Sequence, residues 1–310
     1  MRAIAVDAFR GPASLHEIPV PEIGPDDILV RVHAAGVNPI DWKIADGVKA
    51  DAATGFPLVL GQDAAGTVDR VGANVSRFKV GDEVFGAFWF AGTYAEFVRG
   101  TPAANVAPKP RAVDFERAAA LPTPARAALA AVDAAELNEG HKLLVVGATG
   151  GVGSYAVQIA VQRGVHVIAT ARRDAEPYIR ELGAAETIDH RTADLVDEML
   201  RRHPSGIDAV IDVVSGRDAL ERTALVLSSG GRVVTTIHAA DVEGLAKRLI
   251  KATNIDVLGT TGGLDEVARL VDSGAITVPL TRVFPLDHAA EAIAESRSGR
   301  IRGKIVLKVA

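Results

Sequence analysis

Four glycines fall within seven residues in Gly147-Ala-Thr-Gly150-Gly151-Val-Gly153, and no other stretch restricts the possible fold so sharply. Before it, residues 142–146 (Lys-Leu-Leu-Val-Val) read as a buried strand; after it, residues 152–162 carry a helical pattern. A strand that turns into a helix through glycines brings backbone N–H groups and the positive end of a helix dipole to one point. The first glycine permits the tight turn. The middle ones let the main chain approach a ligand with no Cβ in the way, and the last seats helix against strand. This arrangement holds the pyrophosphate of a dinucleotide. A tight turn without a ligand is the plain alternative, and four glycines in a strand-to-helix context argue against it.

The flanking sequence extends the same architecture. Short apolar runs at 143–146, 165–169, 209–214 and 232–237 alternate with helical segments, the pattern of a doubly wound parallel sheet. Gly164, Gly183 and the Ser228-Ser-Gly-Gly231 turn fall where helices are expected to stop, because glycine tolerates the left-handed conformation. The first 110 or so residues have another texture, with Gly and Pro punctuating short β-rich runs at 28–32, 66–68 and 94–98. After about Gly262 come a helix at 264–271, a β-rich run at 276–283, a helix around 288–296 and a strand at 304–309. By pattern alone this tail completes either region. With 310 residues, 48% of them hydrophobic, the chain can fill two cores.

Charge and composition remove several function classes. The net charge is −5 with no basic run, so nucleic acid is not an expected partner. There is no cysteine, which removes disulfides, thiolate nucleophiles and cysteine-ligated zinc, and fits a cytoplasmic setting. The N-terminal residues Met1-Arg-Ala-Ile-Ala-Val-Asp7 lack the apolar core of a secretory signal. No segment approaches the roughly 18 apolar residues of a membrane helix.

The second strand ends at Thr170, where NAD-preferring sites place Asp or Glu for the ribose hydroxyls. Here the chain reads Ala171-Arg172-Arg173. Two guanidiniums suit the extra phosphate of NADP, since arginine pairs bidentately with phosphate. A solvated helix start is the alternative, and Asp174 is one step away. The balance favours NADPH.

Together with this turn, Ala35-Gly-Val-Asn-Pro-Ile-Asp-Trp-Lys43, Gly61-Gln-Asp-Ala-Ala-Gly66, Phe78-Lys-Val-Gly-Asp-Glu-Val-Phe85, Gly92-Thr-Tyr-Ala-Glu96 and Gly303-Lys-Ile-Val-Leu307 span the chain. In these motifs the sequence resembles the zinc-independent quinone oxidoreductase (ζ-crystallin-like) group of medium-chain dehydrogenases/reductases. The resemblance implies a GroES-like β-rich catalytic domain at 1–118 and 262–310. A Rossmann dinucleotide-binding domain at 119–261 is inserted in it, with the active site in the cleft, and homodimers are common among such relatives. Zinc-dependent relatives carry Cys where this chain has Asn38 and His where it has Gln62, so no metal is expected. Without a Lewis acid, the expected acceptor is a quinone or an α,β-unsaturated carbonyl compound, whose reduction delocalises charge.

The same resemblance points to individual side chains. Asn38 and Asp41 lie in the motif that lines the nicotinamide side. An Asn-Pro turn bonded to its own backbone explains Asn38 nearly as well. Lys43 is a candidate to stabilise developing negative charge on oxygen, or is simply solvated; the group commonly has a tyrosine nearby. Trp42, Phe88 and Trp89 are candidate pocket walls, whereas Phe85 and Tyr94 read as core. The expected cofactor contacts are Thr123, Gly147, Thr149, Gly150, Gly151, Val152, Gly153, Thr170, Arg172, Arg173, His190, Ser215 and Gly216. For Thr123 helix capping is an equal explanation, and for His190 a surface position is the plainer one. Arg300, Arg302 and Lys304 either reach toward cofactor or, for at least two of the three, are solvated. Asp63 stands where zinc relatives have Glu and reads as structural. The expected function is NADPH-dependent, zinc-independent hydride transfer. The alternatives are a dedicated biosynthetic enoyl reductase and a non-catalytic NADPH-binding sensor or structural protein, with RNA binding weaker still because the charge opposes it.

Overall fold

The apolar runs in the middle of the chain pair as parallel strands, as near-continuous buried runs do when both faces of a sheet are covered. The computed structural model describes residues 1–48, 55–101, 105–259 and 262–310. It divides into one unit of Met1–Thr123, Thr261–Ser273 and Val278–Ala310 and a second of Pro124–Thr260 and Gly274–Thr277. The boundary expected between 261 and 262 falls at the edge of residues 260–261, which lie outside the described residues.

In the second unit six strands form one parallel sheet. Its order is Glu186–Ile188, His166–Thr170, Lys142–Val146, Ile207–Asp212, Leu227–Thr235 and Lys251–Asn254. Numbered along the chain this is 3-2-1-4-5-6, the Rossmann order, whose switch point lies between the first and fourth strands. Leu144, Ile168, Ile188 and Val210 fill one core layer. Helices Gly151–Gln162 and Glu176–Glu181 end just before Gly164 (φ +76°) and Gly183 (φ +98°), as read from sequence.

In the first unit the long strand Ile28–Val37 pairs with Asp63–Val71, with Phe97–Gly100 and with the C-terminal strand Lys304–Lys308. Val37 lies opposite Ile305 in that last pairing. The chain's tail therefore joins the sheet of its first third. Ile28, Val30, Val32, Phe78, Val84 and Leu307 make up much of the core beneath.

Several local readings are corrected. Ser228-Ser-Gly-Gly231 follows the 3₁₀ turn Ala224–Val226 and Gly230 takes φ +81°, but the segment lies inside strand Leu227–Thr235, at the register shift between the pairs Ile207–Leu227 and Ala209–Arg232. A bulge absorbs the extra residues. The strand expected at 94–98 lies at Phe97–Gly100, and the run at 276–283 becomes strand Leu280–Pro285. Phe88 is 3% exposed and belongs to the core, where its ring lies so close to Gly100 that a Cβ there would meet it at 2.5 Å. Among the described residues no helix is long and apolar enough to cross a membrane.

Candidate functional site

In the second unit the glycine turn sits at the switch point of the sheet. Gly147 adopts φ +85°, and a Cβ there would meet Val214 and Val213 at 2.8 and 2.9 Å, in the loop that leaves the fourth strand. A Cβ on Gly153 would meet the Gly147 carbonyl oxygen at 2.3 Å, so the helix can approach the strand only through glycine. Gly150, the N-cap of the 12-residue helix Gly151–Gln162, has its nearest neighbour for a Cβ at 3.6 Å. No side chain caps this helix. Its first-turn N–H groups, around the half-buried Gly151 and Val152, thus keep their capacity for an anion. The pyrophosphate of a dinucleotide fits such a cradle.

The neighbouring loops are fixed by their own hydrogen bonds. Thr170 Oγ1 accepts from the Gly147 N–H at 3.1 Å, tying the end of the second strand to the turn. Asp212, fully buried, accepts from the Val214 and Ser215 N–H groups at 3.0 and 2.8 Å and folds back the loop bearing Ser215 and Gly216. Gly216 is exposed and caps helix Arg217–Thr223. Thr149 is half-buried within the turn. Arg172 is half-buried and Arg173 exposed just past the second strand, while His190 is exposed just past the third, which ends at Ile188.

In the first unit a second polar cluster is entirely buried. Asn38 caps the short helix Pro39–Ala45, with proline at its first position and Asp41 accepting from the Asn38 N–H at 2.7 Å. Tyr94 Oη also donates to Asp41, at 2.7 Å. A Cβ on Gly61 (φ +92°) would strike the Tyr94 ring at 2.3 Å, so that glycine makes room for the tyrosine. Asp63 accepts from Asn38 Nδ2 at 2.8 Å and from the Thr123 N–H and Oγ1 at 3.0 and 2.6 Å. Lys304 Nζ donates to Asn38 Oδ1 at 2.6 Å and to the Val37 carbonyl at 2.7 Å.

Two carboxyls and one ammonium thus share a space with no solvent. Burial pushes the Asp41 carboxyl up to about 7, against the pull of its hydrogen bonds from Asn38 and Tyr94. Burial also raises Asp63, opposed first by Lys304, and lowers Lys304 from the ordinary lysine value. Both ends of the Asn38 amide are occupied, and Gln62 Oε1 accepts from the Phe90 N–H at 2.7 Å. The positions at which zinc relatives carry ligands are therefore committed to hydrogen bonds, and an ammonium lies beside one of them. Among the described residues no group of three or more His, Cys, Asp or Glu side chains is placed to hold a metal. This donor set does not fit zinc.

The remaining candidates are scattered. Lys43 is half-buried, its Nζ 5.6 Å from the Trp42 ring centroid. Trp42 carries the Arg297 guanidinium over its ring at 4.8 Å and borders a cavity of about 520 Å³ with Val6, Arg10, Leu60 and Ile293. Trp89 is half-buried, and neither it nor Phe88 lines that cavity. Arg300 is exposed and Arg302 half-buried, while Lys304 is 4% exposed. Sequence reasoning missed Lys304, Asp63 and Tyr94 as one unit and missed Asp212. Only the pairing of Lys304–Lys308 with Ile28–Val37 reveals the first set.

Comparisons with known proteins bear on family and fold. A family profile described as "Alcohol dehydrogenase GroES-like domain" matches residues 24–111, and one described as "Zinc-binding dehydrogenase" matches 182–307. Over 325 residues the chain is 31% identical to the quinone oxidoreductase of Rattus norvegicus, covering 99% of this chain and 97% of that protein. It is 31% identical to the human mitochondrial NAD(P)H oxidoreductase RTN4IP1 over 329 residues, covering 92% of this chain and 82% of the relative. The structure of Escherichia coli quinone oxidoreductase complexed with NADPH superposes with a TM-score of 0.90 at 26% identity, covering all of both chains.

Proposed function

Because this chain belongs to the quinone oxidoreductase family of medium-chain dehydrogenases/reductases, NAD(P)H-using oxidoreductases, we propose that it reduces quinones or α,β-unsaturated carbonyl compounds with NADPH and without zinc. The observation that carries the reading is the uncapped helix N-terminus at Gly150, with Arg172 and Arg173 following the adjacent strand. The occupied amide of Asn38 and amide oxygen of Gln62 support its metal-free part.

When bound, NADPH supplies a hydride. The N–H groups at 151–153 would hold its pyrophosphate, Thr149, Thr170, Ser215 and Gly216 would border the dinucleotide, and Arg172, Arg173 and His190 would take the 2′-phosphate. The proton that completes the reduced acceptor would come from solvent. Lys43 offsets the negative charge that builds on the acceptor oxygen, and Trp89 offers an apolar wall. Asn38, Asp41, Asp63, Thr123 and Lys304 keep the catalytic unit in one shape. The acidic, cysteine-free chain suits the cytoplasm, and a homodimer is the assembly we assign to it.

The test is NADPH consumption across a panel of quinones and enones in the presence of a chelator. Turnover of several members is expected. Turnover confined to one enone marks a dedicated enoyl reductase, and NADPH that raises thermal stability without being consumed by any acceptor marks a sensor and overturns the reading.

A further inference from the structure

Past residue 188 the second and third strands of the Rossmann sheet stop pairing through their backbones, yet they are not released. The last ladder pair is Thr170–Ile188, followed by the Ala171 N–H donating to the Ile188 carbonyl at 3.0 Å. Beyond that point one side chain takes over. Asp189 Oδ2 accepts from the Arg173 N–H at 3.0 Å, and its Oδ1 accepts from the Arg191 N–H at 3.0 Å. The Asp189 carbonyl receives the Thr192 and Ala193 N–H groups at 3.1 and 3.2 Å, which closes the turn it sits in.

We infer that Asp189 is a positioning residue for cofactor choice, bridging the loop of Arg172 and Arg173 to the loop of His190 and Arg191 so that Arg191 joins them around the 2′-phosphate of NADPH. The inference rests on the NADPH reading above. An acid near a phosphate site ordinarily favours NADH, because it repels the phosphate and binds the ribose hydroxyls. This one follows the third strand instead of the second, and both of its oxygens are turned to backbone N–H groups. These bonds, that from Arg191 first, hold its carboxyl below the ordinary aspartate value. Its charge orders two loops while the guanidiniums stay available: Arg173 and Arg191 are exposed, and among the described residues Arg172 meets only Asp174 as an ion pair, at 3.9 Å. The short 3₁₀ turn Arg173–Ala175 has no cap from Arg172, so the cap comes from the other loop. Loops ordered before binding lose less freedom when the phosphate arrives.

The experiment uses two nucleotides that differ only in the 2′-phosphate, adenosine 2′,5′-bisphosphate and 5′-AMP, titrated calorimetrically into the full chain. The wild type is expected to prefer the bisphosphate. Asp189→Ala should weaken the bisphosphate about tenfold and leave 5′-AMP unchanged, and Arg191→Ala should do the same by about fivefold. Asp189→Asn, which retains one acceptor oxygen, should fall between wild type and Asp189→Ala. In turnover, Asp189→Ala should raise KM for NADPH with kcat and the NADH parameters held. Equal losses for both nucleotides, or an unchanged bisphosphate affinity, overturn the role of Asp189. A wild type that binds the two equally overturns the NADPH reading and this inference with it.

Discussion

The glycine turn at 147–153 and the buried cluster around Lys304 use similar hydrogen bonds to opposite ends. In the turn, donors are left without protein acceptors: the helix at Gly151 has no side-chain cap, and its first N–H groups await an anion. In the cluster most polar groups are spent internally, with Asn38 alone joined to Asp63, Lys304 and Asp41. A region that withholds internal bonds is built for a ligand. A region that completes them is built for shape. The two should therefore fail differently when altered, one in affinity and the other in stability.

The largest effect belongs to the cluster. Lys304→Met removes the ammonium beside Asp41, Asp63 and Asn38 and takes from the Val37 carbonyl and Asn38 Oδ1 the donor they share. Breaking one member of a buried charge set costs about 3–5 kcal/mol. Both tryptophans, Trp42 and Trp89, lie in the first unit, so their fluorescence in urea reports on that unit. The midpoint should drop sharply, and adding Asp63→Asn should recover part of it. Affinity for adenosine 2′,5′-bisphosphate should stay within about twofold, or the contrast between the regions fails.

A smaller effect of the same region is its pH dependence. Asp41 titrates near 3.8 when unfolded and about 7 when folded. Below the first value both states hold the proton; between the two only the folded chain does, so stability falls as pH rises and levels off above the second. From pH 5 to 7 this amounts to on the order of 2–3 kcal/mol. Asp41→Asn, which keeps an acceptor for Asn38 and Tyr94 without a titrating proton, should flatten that slope in urea unfolding at several pH values. A slope unchanged in the variant would assign the loss to other groups.

What was legible in the sequence follows the same division. The turn could be read because its function is local: glycines adjacent in sequence are adjacent in space, and the strands around it are contiguous apolar runs such as 143–146. The cluster draws on residues 38, 41, 63, 94, 123 and 304, and nothing in their spacing brings them together. Lys304 looks like a solvated lysine in a basic tail until Lys304–Lys308 pairs beside Ile28–Val37 and buries it. Phe88 misled for a related reason, since an aromatic run gives no sign of which ring the sheet turns inward. At Ser228-Ser-Gly-Gly231 the glycines signalled a break, and the ladder does break there, between Leu227 and Arg232, but as a bulge inside a strand.

The smallest effect tests the ligand side of the comparison. Arg172→Ala with Arg173→Ala removes two guanidiniums that, among the described residues, touch no buried carboxylate, so the unfolding free energy in urea should change by less than about 0.5 kcal/mol. Their loss should be felt only by a ligand that brings a phosphate to the end of the second strand. NADPH binding should weaken about 10- to 30-fold, or roughly 1.4–2 kcal/mol, while NADH binding stays constant. Calorimetry with each cofactor separates the two results. Equal affinity loss for both would place the arginines on a part of the dinucleotide the cofactors share, and no loss with NADPH would return them to solvent. A fall in stability matching the fall in affinity would mean that this region, like the Lys304 cluster, also serves shape.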